Sequence, residues 1–208
     1  MKKLISTFSL ITGMIFLMAF NKPVKEETYT VDTEQSTIEW IGRKVTGQHA
    51  GTIKLATGEL IFNGNSLQKG NFLMSMASIV CADNAKVTAH LKTEDFFSAE
   101  KNPTSKFEIT KVTSAGADRV NVSGNLTIKG ITQPLTFPAT VKKQGDVVVA
   151  VAQGIKVDRI KYDIKFRSKS FFGDIGDRAI DNEFELAINL VAKKNEQGLK
   201  EQRTKTKE

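Results

Sequence analysis

The segment VNVSGNLTI, residues 120–128, alternates strictly between apolar or small residues and polar ones. In an extended chain, successive side chains point to opposite faces, so the segment has one apolar and one polar face. This period of two is typical of an antiparallel strand with one face buried and the other in water. The apolar or small face consists of Val120, Val122, Gly124, Leu126 and Ile128.

The same alternation recurs along most of the chain, most clearly in residues 135–141 and 184–192. Turn sequences that contain glycine with asparagine, aspartate or glutamine separate these segments and predict tight reversals of the chain. In all, eight or nine short strands are predicted, evenly distributed. The other predicted strands are residues 37–46, 51–55, 59–63, 71–79, 106–112 and 147–157, and the turns are 63–65, 116–118 and 144–146.

One segment, residues 83–90, interrupts this pattern. Asp83 is a candidate N-cap, and Phe96 and Phe97 follow within two turns, which predicts a short helical insertion. An all-β chain of this size either closes into a barrel or stacks as a sandwich, because open sheet edges invite aggregation. We favour a single antiparallel barrel, since the strands are short and evenly spaced.

Charge is concentrated at the two ends of the chain. The 208 residues carry a net charge of +7, but the body, residues 21–192, holds 22 basic and 20 acidic residues. A nearly neutral body offers no electrostatic footprint for DNA or RNA, so nucleic-acid binding is not expected.

The first twenty residues begin with Lys2 and Lys3 and then run apolar to Phe20. This layout is typical of a secretory signal peptide, or of an uncleaved anchor if no peptidase cuts it, and predicts a periplasmic or otherwise exported protein. Residues 193–208 contain one apolar side chain, Leu199, and predict a disordered basic tail. With one cysteine, Cys81, the exported domain has no internal disulfide.

Four ordered segments resemble the YceI-like family of bacterial proteins: YTVDTEQSTIEW (29–40), HLKTEDFF (90–97), GNLTIKGITQPLTF (124–137) and VDRIKYDIKF (157–166). A further pattern, W-x-G-x-K-V-x-G-x-H-x-G, spans residues 40–51. The resemblance implies an exported, lipocalin-like antiparallel β-barrel over residues 21–192 that is often dimeric. It also implies that the interior binds isoprenoid lipids or other long-chain amphiphiles, and a lipid carrier of this kind makes transient contact with membranes.

An eight-stranded barrel is about wide enough either to be filled by side chains or to hold one small ligand. Both alternatives stay open at this point, because most apolar residues of any barrel are simply core. The residues predicted to line the interior and contact a hydrocarbon chain are Trp40, Phe72, Met74, Met76, Phe107, Ile109, Leu126, Ile128, Leu135, Phe137, Phe184 and Leu186.

Phe171 and Phe172 lie in a polar segment that contains glycine, and they are added to the predicted ligand-binding set. In an extended segment two adjacent rings cannot face the same core, so one of them would cap the barrel mouth as a lid. The alternative is a pair of rings buried in a turn. The residues predicted to contact an anionic or carbonyl headgroup are His49, His90, Arg159 and Lys169, although for Arg159 a structural ion pair or turn anchor is the favoured interpretation.

The sequence predicts neither a metal site nor a cofactor, because the two histidines are 41 residues apart without paired ligand spacing. It also lacks G-x-S-x-G, P-loop, dinucleotide-binding and H-E-x-x-H motifs. Cys81 with His90, and Asp174 with Asp177, are the weak catalytic candidates. We therefore predict a lipid carrier rather than an enzyme, with a lipid-modifying enzyme and a filled barrel that serves as an interaction module as the alternatives.

Overall fold

A computed structural model describes residues 26–195. Within this range the chain forms eleven strands and one short α-helix, α1 (Ala85–Leu91). The predicted leader, residues 1–20, lies outside the described residues. The strands are β1 (Glu26–Val31), β2 (Thr37–Lys44), β3 (Gly47–Ile53), β4 (Leu55–Asn63), β5 (Ser66–Ser75), β6 (Val80–Cys81), β7 (Thr104–Ser114), β8 (Arg119–Ile128), β9 (Ile131–Gln144), β10 (Val147–Asp158) and β11 (Ile180–Lys194).

The strands form one closed antiparallel sheet. β11 pairs with β10 on one side, and on the other it pairs with β2 along residues 180–189 and with β1 along residues 192–194. In the same way, β3 and β4 together fill the next position of the sheet. β3 pairs with β2, and β4 pairs with β1. β5 and β6 then pair with β4 and β3.

Three positions of the sheet are therefore filled by bent pairs of segments, and five by single strands. The result is the predicted closed eight-stranded antiparallel barrel with a single short helix. Each of the eight positions pairs with two neighbours, although β9 and β10 pair only along residues 140–144 and 147–151. Closure reduces the aggregation hazard of an open sheet.

Several strand bounds differ from the sequence prediction. The predicted strand 71–79 ends at Ser75, because Met76–Ser78 form a short 3-10 helix, and the predicted strand 51–55 is divided between β3 and β4. The two ends of the domain differ as well. β1 lies before the first predicted strand and was not predicted. Only Tyr29 and Val31 of its six residues are buried, so its apolar pattern is too short to detect. β11 includes Lys193 and Lys194, the first two residues of the predicted disordered tail, and both pair with β1. The tail from residue 196 onward lies outside the described part of the chain.

The helix α1 begins one residue later than predicted, because its N-cap is Asn84 rather than Asp83. The Asn84 side chain accepts hydrogen bonds from the backbone N–H groups of Lys86 and Val87. The Asp83 carboxylate instead contacts Cys81 and His49. None of the helices among residues 26–195 has the length and apolar character required to cross a bilayer.

One end of the barrel is closed by packed side chains. Tyr29, Phe62 and Val148 are almost completely buried there, and the rings of Tyr29 and Phe62 meet edge to face with centroids 5.3 Å apart. The Nζ atom of Lys143 lies 5.3 Å from the centroid of the Tyr29 ring and 5.4 Å from that of Phe62.

A charge cluster joins three strands beside these rings. The Glu27 carboxylate of β1 accepts hydrogen bonds from Lys143 of β9 and Lys194 of β11. These two ammonium groups, Lys143 first, lower the pKa of Glu27 to about 2. Glu27 therefore stays ionised in the folded protein well below the pH at which it is protonated in the unfolded chain.

We expect Glu27→Gln to lower the free energy of unfolding at pH 7 by about 1 to 2 kcal/mol, a magnitude reduced by solvent screening at this partly exposed site. Because the folded-state pKa is depressed, this contribution is fully present above about pH 4.5 and is lost as the pH falls toward 2. Urea unfolding from pH 2 to 7 measures it. Glu26→Gln, an exposed site on the same strand, is the control. A Glu27→Gln deficit that does not shrink at low pH would contradict the assignment.

Candidate functional site

The barrel interior contains a cavity of about 200 Å³, lined almost entirely by apolar side chains. Every one of the eight sheet positions contributes residues to its wall. Of the fourteen residues predicted to contact a ligand, the twelve that alternation placed on the inner face all line this cavity: Trp40, Phe72, Met74, Met76, Phe107, Ile109, Leu126, Ile128, Leu135, Phe137, Phe184 and Leu186.

The wall formed by β9, β10 and β11 is apolar but incompletely packed. The inward side chains of β9 and most of those of β11 are partly buried, whereas Ala152 and Ile155 of β10 are buried. Inward residues of β5, β7 and β8 such as Phe72, Phe107 and Leu126 are also buried. The partly buried residues line the cavity and also pack against the buried core. The set comprises Leu135, Phe137, Ala139, Val141, Ala150, Phe184, Leu186 and Ile188.

Aromatic rings and methionines give the cavity its shape. The Phe107 ring lies between Phe72 and Phe137, with centroid distances of 6.4 Å and 5.6 Å. Met74 and Met76 are buried in the same wall. Methionine side chains are flexible and polarizable, so this part of the wall is able to adapt to hydrocarbon chains of different shape.

Trp40 is fixed where β3, β6 and α1 meet. Its indole N–H donates a hydrogen bond of 3.1 Å to the Val80 carbonyl. Gly51 of β3 packs directly against the same carbonyl, since a methyl group at this position would lie 1.8 Å from the carbonyl oxygen. Trp40 forms a small apolar cluster with Ile79, Cys81 and Leu91 at this end of the cavity.

A second cavity, of about 540 Å³, lies beside the first at this end. Most of its lining surface is apolar, but several charged side chains stand in its wall, and we call it the polar mouth. The two share Trp40, Gly42, Leu91, Phe96 and Ile180 in their walls. The apolar cavity therefore adjoins a mouth whose charged side chains are mostly cationic. The charged and titratable residues described in its wall are Arg43, Lys44, His49, His90, Arg167, Arg178 and the acidic Asp177.

His49 and His90, two of the predicted headgroup residues, both line this polar mouth. The Nδ1 atom of His49 lies 3.3 Å from Asp83 Oδ1, and the Nε2 atom of His90 lies 2.7 Å from Asp95 Oδ2. The rings of Phe96 and Phe166 hold His90 edge to face, at centroid distances of 5.0 Å and 4.7 Å.

Arg159 acts as the turn anchor that the sequence favoured. It is buried, and its guanidinium donates hydrogen bonds of 2.7 to 3.1 Å to the backbone carbonyls of Ile164, Ile180 and Asp181. Although Arg159 touches the apolar cavity, its donors are committed to the backbone. Lys169 is exposed and lies in neither cavity wall, so the structure does not place it with the histidines.

Phe171 and Phe172 also lie outside both walls, and each is about half exposed, at 49% and 48%. The prediction that one ring caps the barrel mouth assumed an extended segment, but residues 168–172 form a turn in which both amides donate to the Ser168 carbonyl. The alternative of a buried pair is also wrong, because both rings face solvent.

The sequence did not indicate the cations of the polar mouth, Arg43, Lys44, Arg167 and Arg178. Arg43 and Lys44 lie at the end of β2, three and four residues after Trp40. Arg167 and Arg178 lie in irregular segments, which have no periodicity. Inward residues such as Ile38 and Ile188 were also not predicted, although the alternation around Trp40 and Leu186 indicates both.

The catalytic candidates are not brought together as a nucleophile and base. The Cys81 thiol donates a 2.9 Å hydrogen bond to Asp83, and His90 pairs with Asp95 instead. Burial first, and the Asp83 carboxylate second, raise the pKa of the Cys81 thiol, which disfavours the reactive thiolate. Of the two acids, Asp177 lines the polar mouth and Asp174 lies outside both walls.

Residues 29–192, most of the 208-residue chain, match the YceI-like domain. A UPF0312 protein of Pseudomonas aeruginosa (strain LESB58) is 42% identical over 67 residues, which are 32% of this chain and 35% of that protein. A UPF0312 protein of Serratia proteamaculans (strain 568) is 37% identical over 98 residues, 46% of this chain and 50% of the relative. The matches thus span half or less of these curated relatives.

Two solved structures share the fold. Burkholderia cenocepacia BcnA superposes with a TM-score of 0.65 at 20% identity and covers 77% of this chain and 98% of BcnA. A polyisoprenoid binding domain from Saccharophagus degradans, implicated in plant cell wall breakdown, has a TM-score of 0.60 at 10% identity and covers 79% of this chain and 97% of that domain. At these identities the similarity establishes the fold alone.

We expect Gly51→Ala to destabilise the protein by about 1 to 3 kcal/mol, because the added methyl group forces the Val80 carbonyl and the Trp40 ring apart. Thermal unfolding measures the loss, and the emission of Trp40, the only tryptophan in the sequence, reports the shift of its ring. Gly42→Ala on β2 is the matched control, since its methyl group meets only Trp40 Cζ3, at 3.9 Å. Equal effects of the two substitutions would contradict this account.

Proposed function

This chain belongs to the YceI-like family, and from that membership and the geometry of its barrel we propose that it binds a polyisoprenoid or similar long-chain amphiphile. The hydrocarbon chain occupies the apolar cavity, and the protein sequesters or carries it without chemical change. The observation that carries the proposal is the apolar cavity inside the barrel, whose wall includes partly buried side chains of β9 and β11.

Energetics support a hydrocarbon occupant. Each methylene moved from water into an apolar wall contributes about 0.8 kcal/mol, so eight to ten of them suffice for roughly micromolar binding once the costs of association are subtracted. The similar fold of the polyisoprenoid binding domain from Saccharophagus degradans is consistent with this ligand class.

The headgroup of the ligand occupies the polar mouth. Its wall adjoins the apolar cavity at Trp40 and carries Arg167 and Arg178 together with His49 and His90. Guanidinium groups form bidentate, charge-assisted hydrogen bonds with phosphate and carboxylate. An anionic amphiphile therefore fits both cavities, because its tail lies in the apolar barrel and its charged group contacts the cations of the polar mouth.

We propose that the protein is exported and carries its lipid between two membranes. Lys2, Lys3 and the following apolar residues support export, and a water-insoluble lipid needs a protein to cross an aqueous compartment. Loading and release then require transient contact with a membrane surface. Fractionation of the native host, with detection of the protein in the periplasm, tests this part of the proposal.

Filling the apolar cavity should abolish lipid retention. We expect the wild-type protein, purified from its own host, to retain a lipid in native mass spectrometry, and Ala150→Phe to retain at least about tenfold less because the added ring occupies the cavity. Val149→Phe is the matched control, since this neighbouring residue on β10 is exposed.

The lipid carrier proposal fails if the wild-type protein carries no lipid and titration with prenyl alcohols of increasing length leaves the Trp40 emission unchanged. It also fails if Ala150→Phe and Val149→Phe retain equal amounts of lipid while both remain folded by circular dichroism. A filled barrel that serves as an interaction module would produce the first of these results.

Removing cations from the polar mouth should discriminate between headgroups. We expect the double substitution Arg167→Ala and Arg178→Ala to weaken binding of a prenyl phosphate about tenfold or more, and binding of the matching prenyl alcohol less than about twofold. Titration followed by Trp40 emission measures both affinities. Lys169→Ala, an exposed cation outside both walls, is the control, and equal losses for the two ligands would place the headgroup elsewhere.

A further inference from the structure

We propose that His49, Cys81 and Asp83 form a binding site for a divalent zinc ion at the edge of the polar mouth. Each residue offers one ligand atom, and these atoms lie within 4.8 Å of one another. The site uses no residue of the predicted hydrocarbon-binding set; it shares His49 with the proposed headgroup site, but titration with zinc alone tests it without any lipid.

The three donor atoms lie close to the spacing of a tetrahedral zinc centre, without yet having it. Zinc bonds of about 2.0 to 2.3 Å place neighbouring ligand atoms roughly 3.3 to 3.8 Å apart. Here Asp83 Oδ1 lies 3.3 Å from His49 Nδ1 and 2.9 Å from Cys81 Sγ. Small side-chain rotations therefore suffice to place all three atoms around one ion.

The backbone that carries the three ligands is held from several directions. In the sheet, His49 pairs with Gly42 of β2, and Cys81 pairs with Gly51 of β3. The Cys81 N–H donates to the Thr88 hydroxyl of α1, and the Ala82 N–H donates to the Ala50 carbonyl. A donor set fixed by strand pairing loses little conformational entropy when it binds a metal.

The three donors suit zinc in particular. Zinc is borderline-soft and accepts imidazole, thiolate and carboxylate ligands, whereas magnesium and calcium prefer oxygen alone. On binding, the Cys81 thiol releases its proton to solvent, and the neutral His49 imidazole takes the tautomer with its proton on Nε2, which frees Nδ1 for the metal. One proton then leaves for each ion bound. Three protein ligands leave a fourth position for water or an anion.

Only the fold brings these residues together, which is why the sequence analysis predicted no metal site. His49 and Cys81 are 32 positions apart, and no ligand of the three has the short spacing of a zinc motif. Their proximity follows from the pairing of β6 with β3, a two-residue contact that the sequence pattern does not reveal.

Titration of the full chain, kept reduced, with zinc chloride in a calorimeter tests the site. We expect one ion per chain, and a loss of affinity of at least about 100-fold in Cys81→Ser, His49→Gln and Asp83→Asn, since losing a ligand costs more than losing an outer-shell partner. His90→Gln is the matched control, because this histidine lines the same mouth and pairs with Asp95. We expect its affinity to change less than about twofold.

Cobalt chloride provides a second readout, because a cobalt ion bound by Cys81 shows thiolate-to-metal charge-transfer absorption in the near ultraviolet. We expect this absorption in the wild-type protein and in His90→Gln, and its loss in Cys81→Ser. Asp83→Asn covers the case in which Cys81→Ser fails to fold, since the Asp83 side chain is 62% exposed. The proposal is overturned if the wild-type protein binds no zinc, if Cys81→Ser and Asp83→Asn bind it unchanged, or if cobalt shows no thiolate absorption.

Discussion

Closure of the β-sheet is the constraint on which the rest of this structure depends. The backbone of β11 hydrogen-bonds to β10 on one side and to β1 and β2 on the other, so every strand position has two neighbours. Once the ring is closed, alternation divides all side chains into an inner and an outer set. The inner apolar set then has no packing partners other than itself, and its total volume decides whether the interior is filled.

The two ends of the barrel differ in packing and in charge. At one end, Tyr29, Phe62 and Val148 fill the interior, and Glu27 links three strands through two lysines. At the other end, irregular segments and α1 leave an opening lined by cations. The interior is thus asymmetric, with a packed end and a charged mouth. An amphiphile has the same arrangement, since its tail is apolar and its headgroup is polar.

The apolar lining and the polar mouth differ in how far the sequence predicts them. Twelve inward residues were correctly placed in the cavity wall, because in a strand the face of one residue determines the face of the next but one. Phe171 and Phe172 were misplaced because their segment is a turn, in which this rule does not hold. Arg167 and Arg178 were missed for the same reason, since irregular segments carry no periodic signal.

The sequence by itself determined the all-β class, the alternating side-chain directions of the strands it predicted and the helical interruption, because these follow from local periodicity and capping chemistry. Only the tertiary structure decided that the interior is open, that Asn84 rather than Asp83 caps the helix, and that His49, Cys81 and Asp83 meet. Those outcomes depend on strand register and on the sum of side-chain volumes across the ring. Both are long-range quantities, and no stretch of neighbouring residues contains them.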